Sequence, residues 1–302
     1  MEAHLARMSS LVRCTALAVA WLAMTSPSHA VAQVTGSSDD LDAILTRAGE
    51  RVQQFFTRAQ RILCLETVSM QPLTASLSPA GVGRTVESEL RLSWEPDLGG
   101  SREAETLRQV LKVNGRPPRG RTDRRACTTP EQQSEETQPL SMLLPAQRGK
   151  YAFSLAGTTR LDGRTATMID FREVGPVSVD VRGVEGLEDC ITYEVSGAQR
   201  GRLWIDGETA DVLRLDQRLA GMMDLRVPPA LAHRQGAPAY LTLEREDTTI
   251  RFGRVEFHDP DESIVLPLSS VSLHIVRDGG TPRLRTVTTY TDYRRFLTGG
   301  RL

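Results

Sequence analysis

Gly201-Arg-Leu-Trp-Ile-Asp206 begins the stretch that decides the fold, and Val212-Leu-Arg-Leu-Asp-Gln-Arg-Leu219 completes it. Leu203 and Ile205 in the first segment, and Leu213 and Leu215 in the second, are apolar at a spacing of two residues, which is the period of a half-buried β-strand. Asp206-Gly207 lies between the two segments, and this dipeptide is typical of a turn. The stretch therefore predicts an antiparallel β-hairpin with one apolar face and one polar face.

The same alternation continues on both sides of this hairpin. Val86, Leu90, Leu92 and Trp94 alternate with polar residues, and the pattern returns at 107–113 before the turn signal Asn114-Gly115. Further strands are expected at 151–156, 165–174, 240–245, 249–258, 264–276 and 283–293. The chain shows no repeat of solenoid or propeller length, so we expect one continuous curved sheet.

A long amphipathic helix is predicted before these strands. The stretch Ser37–Asp40 combines a good N-cap with an acidic first turn, and apolar residues then recur at helical spacing from Leu41 to Ile62. Because the strands need a cover for their apolar face, we expect the helix to pack on the sheet. Binding of its apolar face to a membrane surface is the alternative.

Residues 1–30 have the pattern of a secretory signal peptide. Arg7 and Arg13 precede an apolar run at 14–24, and small residues offer a cleavage site after Ala30 or Ala32. The run is much shorter than the ~20 residues that span a bilayer, and no later stretch is apolar enough to do so. We expect a bacterial protein that is periplasmic or secreted after cleavage, and not an integral membrane protein. An uncleaved anchor is the alternative.

Three cysteines, Cys64, Cys127 and Cys190, remain after such cleavage. An extracytoplasmic compartment permits disulfides, but three cysteines form at most one intramolecular bond, and their spacing leaves the pairing open. Cys64 is expected at the end of the helix, and the other two in polar connecting segments. No Cys-x-x-Cys or Cys-x-x-His pair occurs, so we predict no metal site.

The composition excludes several classes of protein and selects none. The 302 residues include 37 Lys+Arg and 38 Asp+Glu, a neutral balance that offers no field to concentrate nucleic acid. No Gly-x-Ser-x-Gly, His-Glu-x-x-His, Walker or dinucleotide-binding motif occurs. We therefore expect no enzyme, no catalytic residue, no cofactor and no nucleic-acid partner. A hydrolase site around His258 or His274 is the alternative, although 258–261 is expected to be a hairpin turn.

One segment is densely basic, and it lies in an irregular insertion at 116–138. Guanidinium groups bind phosphates and carboxylates bidentately, so its arginines are candidates for contact with lipid headgroups or an acidic partner. A solvated loop is the alternative. The residues are Arg116, Arg119, Arg121, Arg124 and Arg125.

Apolar side chains on the helix and on the inward positions of the strands are candidates to line a cavity. A filled hydrophobic core is the alternative, because sequence does not measure a void. The candidates are Phe55, Phe56, Trp94, Phe153, Phe171, Leu203, Ile205, Leu213, Leu215 and Phe252, with Leu273 expected on the same side.

The hairpin at 201–214 resembles the central hairpin of the periplasmic lipoprotein-carrier superfamily that includes LolA, LolB and the N-terminal domain of RseB. The chain is more similar to uncharacterised secreted bacterial proteins with a Trp-Ile-Asp hairpin of this kind. In these, a helix comes first, a strand like Cys64-Leu65-Glu66-Thr67 follows, and a strand like Tyr290–Phe296 closes the chain. The match in order extends from about Asp39 to the C-terminus.

The resemblance implies a mainly β (α+β) fold. Its core would be a strongly curved antiparallel sheet or incomplete barrel, covered on its concave side by the N-terminal helix. Residues 31–302 would form this single domain, with irregular insertions near 116–138 and 221–238. The resemblance also implies non-enzymatic binding of lipid or lipoprotein acyl chains in an apolar cavity. An envelope protein-interaction or sensor module without a small ligand is the alternative function.

Overall fold

The fold is taken from a computed structural model of the chain. It describes residues 38–58, 62–96, 102–119, 139–184, 187–235, 238–258, 261–278 and 283–295. The predicted signal peptide, Cys127, and the basic residues Arg121, Arg124 and Arg125 lie outside the described residues.

The described residues form three α-helices, one 3-10 helix and thirteen strands. The helices are α1 (Ser38–Arg58), α2 (Pro145–Arg148) and α3 (Pro229–Gln235), with the 3-10 helix at Pro139–Leu143. The strands are β1 (Ile62–Pro72), β2 (Arg84–Pro96), β3 (Arg102–Val113), β4 (Tyr151–Leu161), β5 (Arg164–Glu173), β6 (Ser178–Val184), β7 (Leu187–Ser196), β8 (Gln199–Asp206), β9 (Val212–Leu219), β10 (Met223–Arg226), β11 (Tyr240–His258), β12 (Asp261–Arg277) and β13 (Arg283–Arg295).

Eleven of these strands form one antiparallel sheet. Its order is β3-β2-β1-β13-β12-β11-β9-β8-β5-β4, with β10 paired to β11, while β6 and β7 form a separate hairpin. The sheet is curved and not closed, so the expected mainly β incomplete barrel is confirmed. Within the described chain, β3 and β4 are its two edges.

The hairpin of β8 and β9 has the predicted strands and turn. Leu203 pairs with Leu215, and a register shift follows between Trp204 and Ile205. One carboxylate oxygen of Asp206 accepts hydrogen bonds from the backbone N–H of Glu208 (2.9 Å) and of Thr209 (2.8 Å). Burial alone would raise the pKa of Asp206, but these N–H bonds and the nearby Arg164 guanidinium lower it overall. The ionised Asp206 therefore fixes the turn.

Each strand places alternate side chains on opposite faces of the sheet. On one face, Ile169, Leu203, Leu215 and Ile250 are direct partners across β5, β8, β9 and β11, and each is at most 3% exposed. We call this the inner face, because α1 covers it, and the opposite side the outer face. The sequence of every central strand thus separates an apolar core from a polar surface.

The structure differs from the sequence expectations in two regions. The segment 221–238, expected to be irregular, contains β10 and α3. The hairpin of β6 and β7 was not expected at all, and Cys190, expected in a polar connection, lies in β7. Alternation from Ile191 to Val195 is the signal that could have identified this strand, but the charged residues before it mask the pattern.

Several strand boundaries also differ from the expected ones. The separate strands expected at 240–245 and 249–258 form the single strand β11, because polar residues at 246–249 continue the ladder to β12. Cys64 is not at the end of a helix: α1 ends at Arg58, and Cys64 is a buried residue of β1.

Candidate functional site

The inner face under α1 is the candidate apolar site. Leu45, Ala48, Val52 and Phe56 of the helix are each at most 5% exposed and belong to one buried cluster with the inner-face residues of the sheet. Their spacing of three and four residues puts them on one side of the helix. In this structure the space between helix and sheet is occupied by side chains of the protein itself.

The predicted lining residues divide into three groups. Six are buried in the cluster beneath α1, two pack against it while partly buried, and the last two are in neither group. The buried six are Phe56, Phe171, Leu203, Ile205, Leu215 and Phe252, and the partly buried two are Phe55 and Phe153.

Leu213 and Trp94 do not belong to either group. Leu213 is buried but lies outside the cluster, because the register shift in the hairpin pairs Ile205 with Val212, and Val212 joins the cluster in its place. The side chain of Trp94 lies outside the described part of the structure, as β2 is described there only in its backbone. Their role in ligand binding stays a prediction. Leu273, expected on the same side, is partly exposed in β12 and outside the buried cluster.

Helix α1 is attached to the body at its polar side by three arginines. The Arg47 guanidinium donates to the carbonyl of Glu208 (2.9 Å), and Arg51 Nε donates to the carbonyl of Thr209 (2.9 Å). From α2, Arg148 donates to the carbonyl of Leu45 (2.9 Å). Two of the three contacts end on the turn between β8 and β9, so the hairpin that decides the fold also holds the helix.

The hairpin of β6 and β7 covers a second part of the inner face. Leu219, Leu225, Leu243 and Val276 form the buried floor of a separate cluster, against which Tyr193 and other residues of the hairpin pack. The sequence expectation assigned a covering role to the helix alone. The hairpin was missed because covering requires a tertiary contact that the local pattern does not specify.

His274 lies at the margin of this second cluster. The Tyr193 hydroxyl contacts His274 Nε2, the two rings stack with centroids 5.8 Å apart, and the same hydroxyl lies 3.4 Å from Glu246 Oε1. Burial lowers the pKa of His274, which favours the neutral imidazole. His258, the other candidate base, is 95% exposed beside Asp261 in the turn between β11 and β12.

Protonation of His274 should make stability fall at mildly acidic pH. Because folding lowers its pKa below the unfolded value near 6.5, the unfolded chain binds more protons below that pH. The contribution of neutral His274 is complete above about pH 6.5 and is lost as the pH falls toward the folded pKa. The measurement is the thermal midpoint between pH 7.5 and 5, comparing wild type with His274→Gln, and we expect a smaller decrease in the variant. His258→Gln is the matched control, and equal decreases in all three proteins would contradict the assignment.

A buried ion pair joins β1 to the edge strand β3. Arg108 donates bidentately to Glu66, with Nε–Oε2 2.7 Å and Nη2–Oε1 3.0 Å, and both side chains are at most 4% exposed. Burial, with the Glu66 charge, raises the pKa of Cys64 to about 12 despite the opposing Arg108 charge. Cys64 is therefore an inert, protonated thiol rather than a nucleophile.

Of the predicted basic segment, Arg116 and Arg119 are in the described part of the chain, and contact with a headgroup or partner stays a prediction. Both residues are exposed and follow β3. Over the described ranges, no group of three or more His, Cys, Asp and Glu residues is placed to hold a metal ion. Among the described helices, none is both long enough and apolar enough to cross a membrane.

The chain is similar to known proteins only in the comparison with solved structures. No family model and no curated protein matches the sequence. A DUF1329 family protein from Desulfovibrio piger has 12% identity and a TM-score of 0.41, covering 86% of this chain and 94% of its own. A LolA superfamily protein from Nitrosomonas europaea has 10% identity and a TM-score of 0.34, covering 85% and 94%. The MucA/MucB complex from Pseudomonas aeruginosa has 11% identity and a TM-score of 0.22, covering 83% and 99%.

The solved structures include a LolA superfamily protein and the MucA/MucB complex, which belong to the superfamily that the sequence motifs resemble. The elements of this chain themselves define its fold class, an open, curved antiparallel sheet with an N-terminal helix. At these identities and TM-scores, no residue role is transferred from them to this chain.

Proposed function

We propose that this chain is a non-enzymatic binding protein of the cell envelope, and that it holds an apolar chain of a lipid or lipoprotein between α1 and the inner face. The observation that supports this proposal is that the interior consists of an apolar surface on the sheet and a helical cover that packs on it. A continuous apolar floor lies on the sheet, and α1 covers it through an apolar side of its own, together with Leu140, Met142 and Leu143 of the 3-10 helix. Polar contacts from Arg47, Arg51 and Arg148 hold the cover in place.

Binding would require α1 to move, because the space is filled in the closed form. Exposing side chains such as Leu45, Val52 and Phe56 costs about 1.5–3 kcal/mol each. An acyl chain returns about 0.8 kcal/mol for each CH2 group that it buries. A long chain can therefore replace the helix on the floor, whereas a short one cannot, and the proposal predicts a strong dependence of affinity on chain length.

The test compares a tethered helix with a loosened one. A reducible cross-linker joins cysteines introduced by Arg47→Cys and Glu208→Cys, in a chain whose Cys127 and Cys190 are replaced by serine. The probe is a long-chain fatty acid carrying an environment-sensitive fluorophore. We expect the uncross-linked chain to bind the probe. Cross-linking should lower the affinity at least about tenfold, which corresponds to about 1.4 kcal/mol or more, and reduction of the cross-linker should restore it.

The loosened protein is Arg47→Ala/Arg51→Ala, and it is expected to bind the probe more tightly than wild type. Arg285→Ala, an exposed residue of β13 outside the cluster, is the matched control and should leave affinity unchanged. Equal binding with and without the tether would place the probe elsewhere. Absence of binding by wild type and by the loosened variant would overturn the proposal.

A protein partner at strand β3 is a second candidate, favoured by the sheet edge. Leu107 is 61% exposed and Leu111 is 40% exposed on this strand, which pairs only with β2 among the described strands. An edge of this kind presents unpaired backbone groups to an extended peptide segment. If the fatty-acid probe fails, a periplasmic partner that binds wild type but not Leu107→Lys would support this function instead.

A further inference from the structure

The outer face of the central strands carries a row of three arginines in register. Arg172 of β5 pairs directly with Arg200 of β8, and Arg200 pairs with Arg218 of β9. All three side chains are exposed. Neighbouring strands are about 4.8 Å apart, so the row places three positive charges within roughly 10 Å of one another.

The acidic residues around this row already have partners of their own. Asp170 accepts a bidentate hydrogen bond from Arg202, with Nη2–Oδ2 2.9 Å, and Asp216 accepts one from Arg214, with distances of 2.8 and 2.7 Å. Asp247, the direct partner of Arg218 in the register, forms its ion pair with Arg245.

Consequently the three arginines of the row have no carboxylate partner in the part of the chain that the structure describes. Like charges directly opposite one another across two strands destabilise a sheet. Here the repulsion occurs twice, at Arg172–Arg200 and at Arg200–Arg218. Such an arrangement is costly unless an anion binds to it.

The row also lies in a concave part of the surface. Arg172, Arg200 and Arg218 all contribute to an open pocket of about 850 Å³. Trp204 lines the same pocket, with the Arg214 guanidinium 4.6 Å from its ring centroid. Guanidinium forks match the oxygen geometry of phosphate groups, and several forks together favour a group with more than one negative charge.

We propose that the pocket at Arg172, Arg200 and Arg218 binds a phosphate-bearing ligand, preferentially one with two adjacent phosphate groups. The three arginines lie on the outer face, and the pocket is also lined by Phe153 and Phe171 of the apolar site under α1. The phosphate could belong to a soluble phosphate ester or to a lipid headgroup, because the same three guanidinium groups recognise both.

The first measurement is calorimetric titration of the mature chain with inorganic diphosphate at low salt. We expect saturable binding that is tighter than for inorganic phosphate and that weakens as sodium chloride is added. The triple variant Arg172→Gln/Arg200→Gln/Arg218→Gln should bind diphosphate at least about tenfold more weakly. Arg285→Gln, an exposed arginine of β13, is the matched control and should bind like wild type.

The thermal midpoint distinguishes a variant that has lost the binding site from a variant that has lost its fold. Because the triple variant removes the repulsion across the row, its thermal midpoint without ligand should equal or exceed that of wild type. Diphosphate should raise the midpoint of wild type but not that of the variant. A variant that still binds diphosphate like wild type would overturn the proposal.

Vesicle flotation distinguishes the two sources of phosphate. Vesicles of phosphatidylcholine with phosphatidate should bind wild type and not the triple variant if the natural ligand is a headgroup. Binding of diphosphate without flotation assigns the site to a soluble phosphate compound. If wild type neither binds diphosphate up to about 10 mM, a concentration that would detect even millimolar affinity, nor floats with these vesicles, the proposal is wrong.

Discussion

Replacing Arg108 by methionine should destabilise the fold by about 3–5 kcal/mol, since it leaves the Glu66 carboxylate buried without its partner. Glu66 is 1% exposed, and the bidentate contact from Arg108 joins β3 to β1 across β2. The measurement is the free energy of unfolding from urea titration at pH 7. This is one of the two largest effects that we expect from single substitutions.

A surface ion pair on the same strands provides the control. Lys112 contacts Glu87 at 2.7 Å across β3 and β2, but the lysine side chain is 51% exposed. Lys112→Met should cost no more than about 1 kcal/mol. The double variant Glu66→Leu/Arg108→Met should recover much of the stability, because it leaves no buried charge unpaired. If it were as unstable as Arg108→Met alone, packing rather than the unpaired charge would be the cause.

Gly201→Val should destabilise the central hairpin by about 3 kcal/mol or more, at the upper end of what overpacking costs. A Cβ atom at Gly201 would lie 1.9 Å from the carbonyl oxygen of Asp216 and 2.7 Å from Cζ of Phe171. The first of these atoms is backbone, so the overlap cannot be removed by a side-chain rotation. Unfolding in urea, with circular dichroism as the signal, measures the loss.

Gly207→Ala is the matched control in the same hairpin. Its Cβ would meet no atom closer than the carbonyl oxygen of Thr165, at 3.5 Å, which is an ordinary contact. We expect a change of less than about 1 kcal/mol, as for most substitutions without a specific clash. A similar loss in both variants would show that the effect comes from glycine's backbone freedom and not from the close approach of β8 to β9.

The two proposed sites use the opposite faces of the same strands. On β8, Leu203 faces α1, whereas Arg200 and Arg202 face the pocket on the outer side. Because successive side chains of a strand point to opposite faces, β8 contributes to an apolar floor and to a cationic surface at once. The two sets of experiments change different residues, which are Arg47, Arg51 and Glu208 at the cover and Arg172, Arg200 and Arg218 in the pocket.

Local patterns predicted the elements whose sequence period is uninterrupted. Helix α1, the β8–β9 hairpin and the long strands at the end of the chain follow directly from spacings of three to four or of two residues. Prediction failed where a covering contact supplies the stability. Examples are β10, α3 and the β6–β7 hairpin, whose apolar residues are few and pack in the cluster that contains Leu219, Leu243 and Val276.

The candidate site shows the same division. The sequence identified the inner-face residues Leu203, Ile205 and Leu215, because alternation assigns them to one side of a strand. It did not distinguish the neighbouring Leu213, which is buried outside that cluster, since a register shift depends on both strands and is not encoded by either one. It also directed attention to the basic segment at 116–125, although the arginines that meet in register come from three strands distant from it.

By itself the sequence determined a mainly β chain with one long amphipathic helix and a central hairpin, because periodicity is a property of neighbouring residues. Tertiary structure alone decided which residues meet. It fills the space under α1 with side chains, buries Glu66 against Arg108, and aligns Arg172, Arg200 and Arg218 in one row. The physical reason is that strand order and register join residues far apart in the chain, and no local spacing records that pairing.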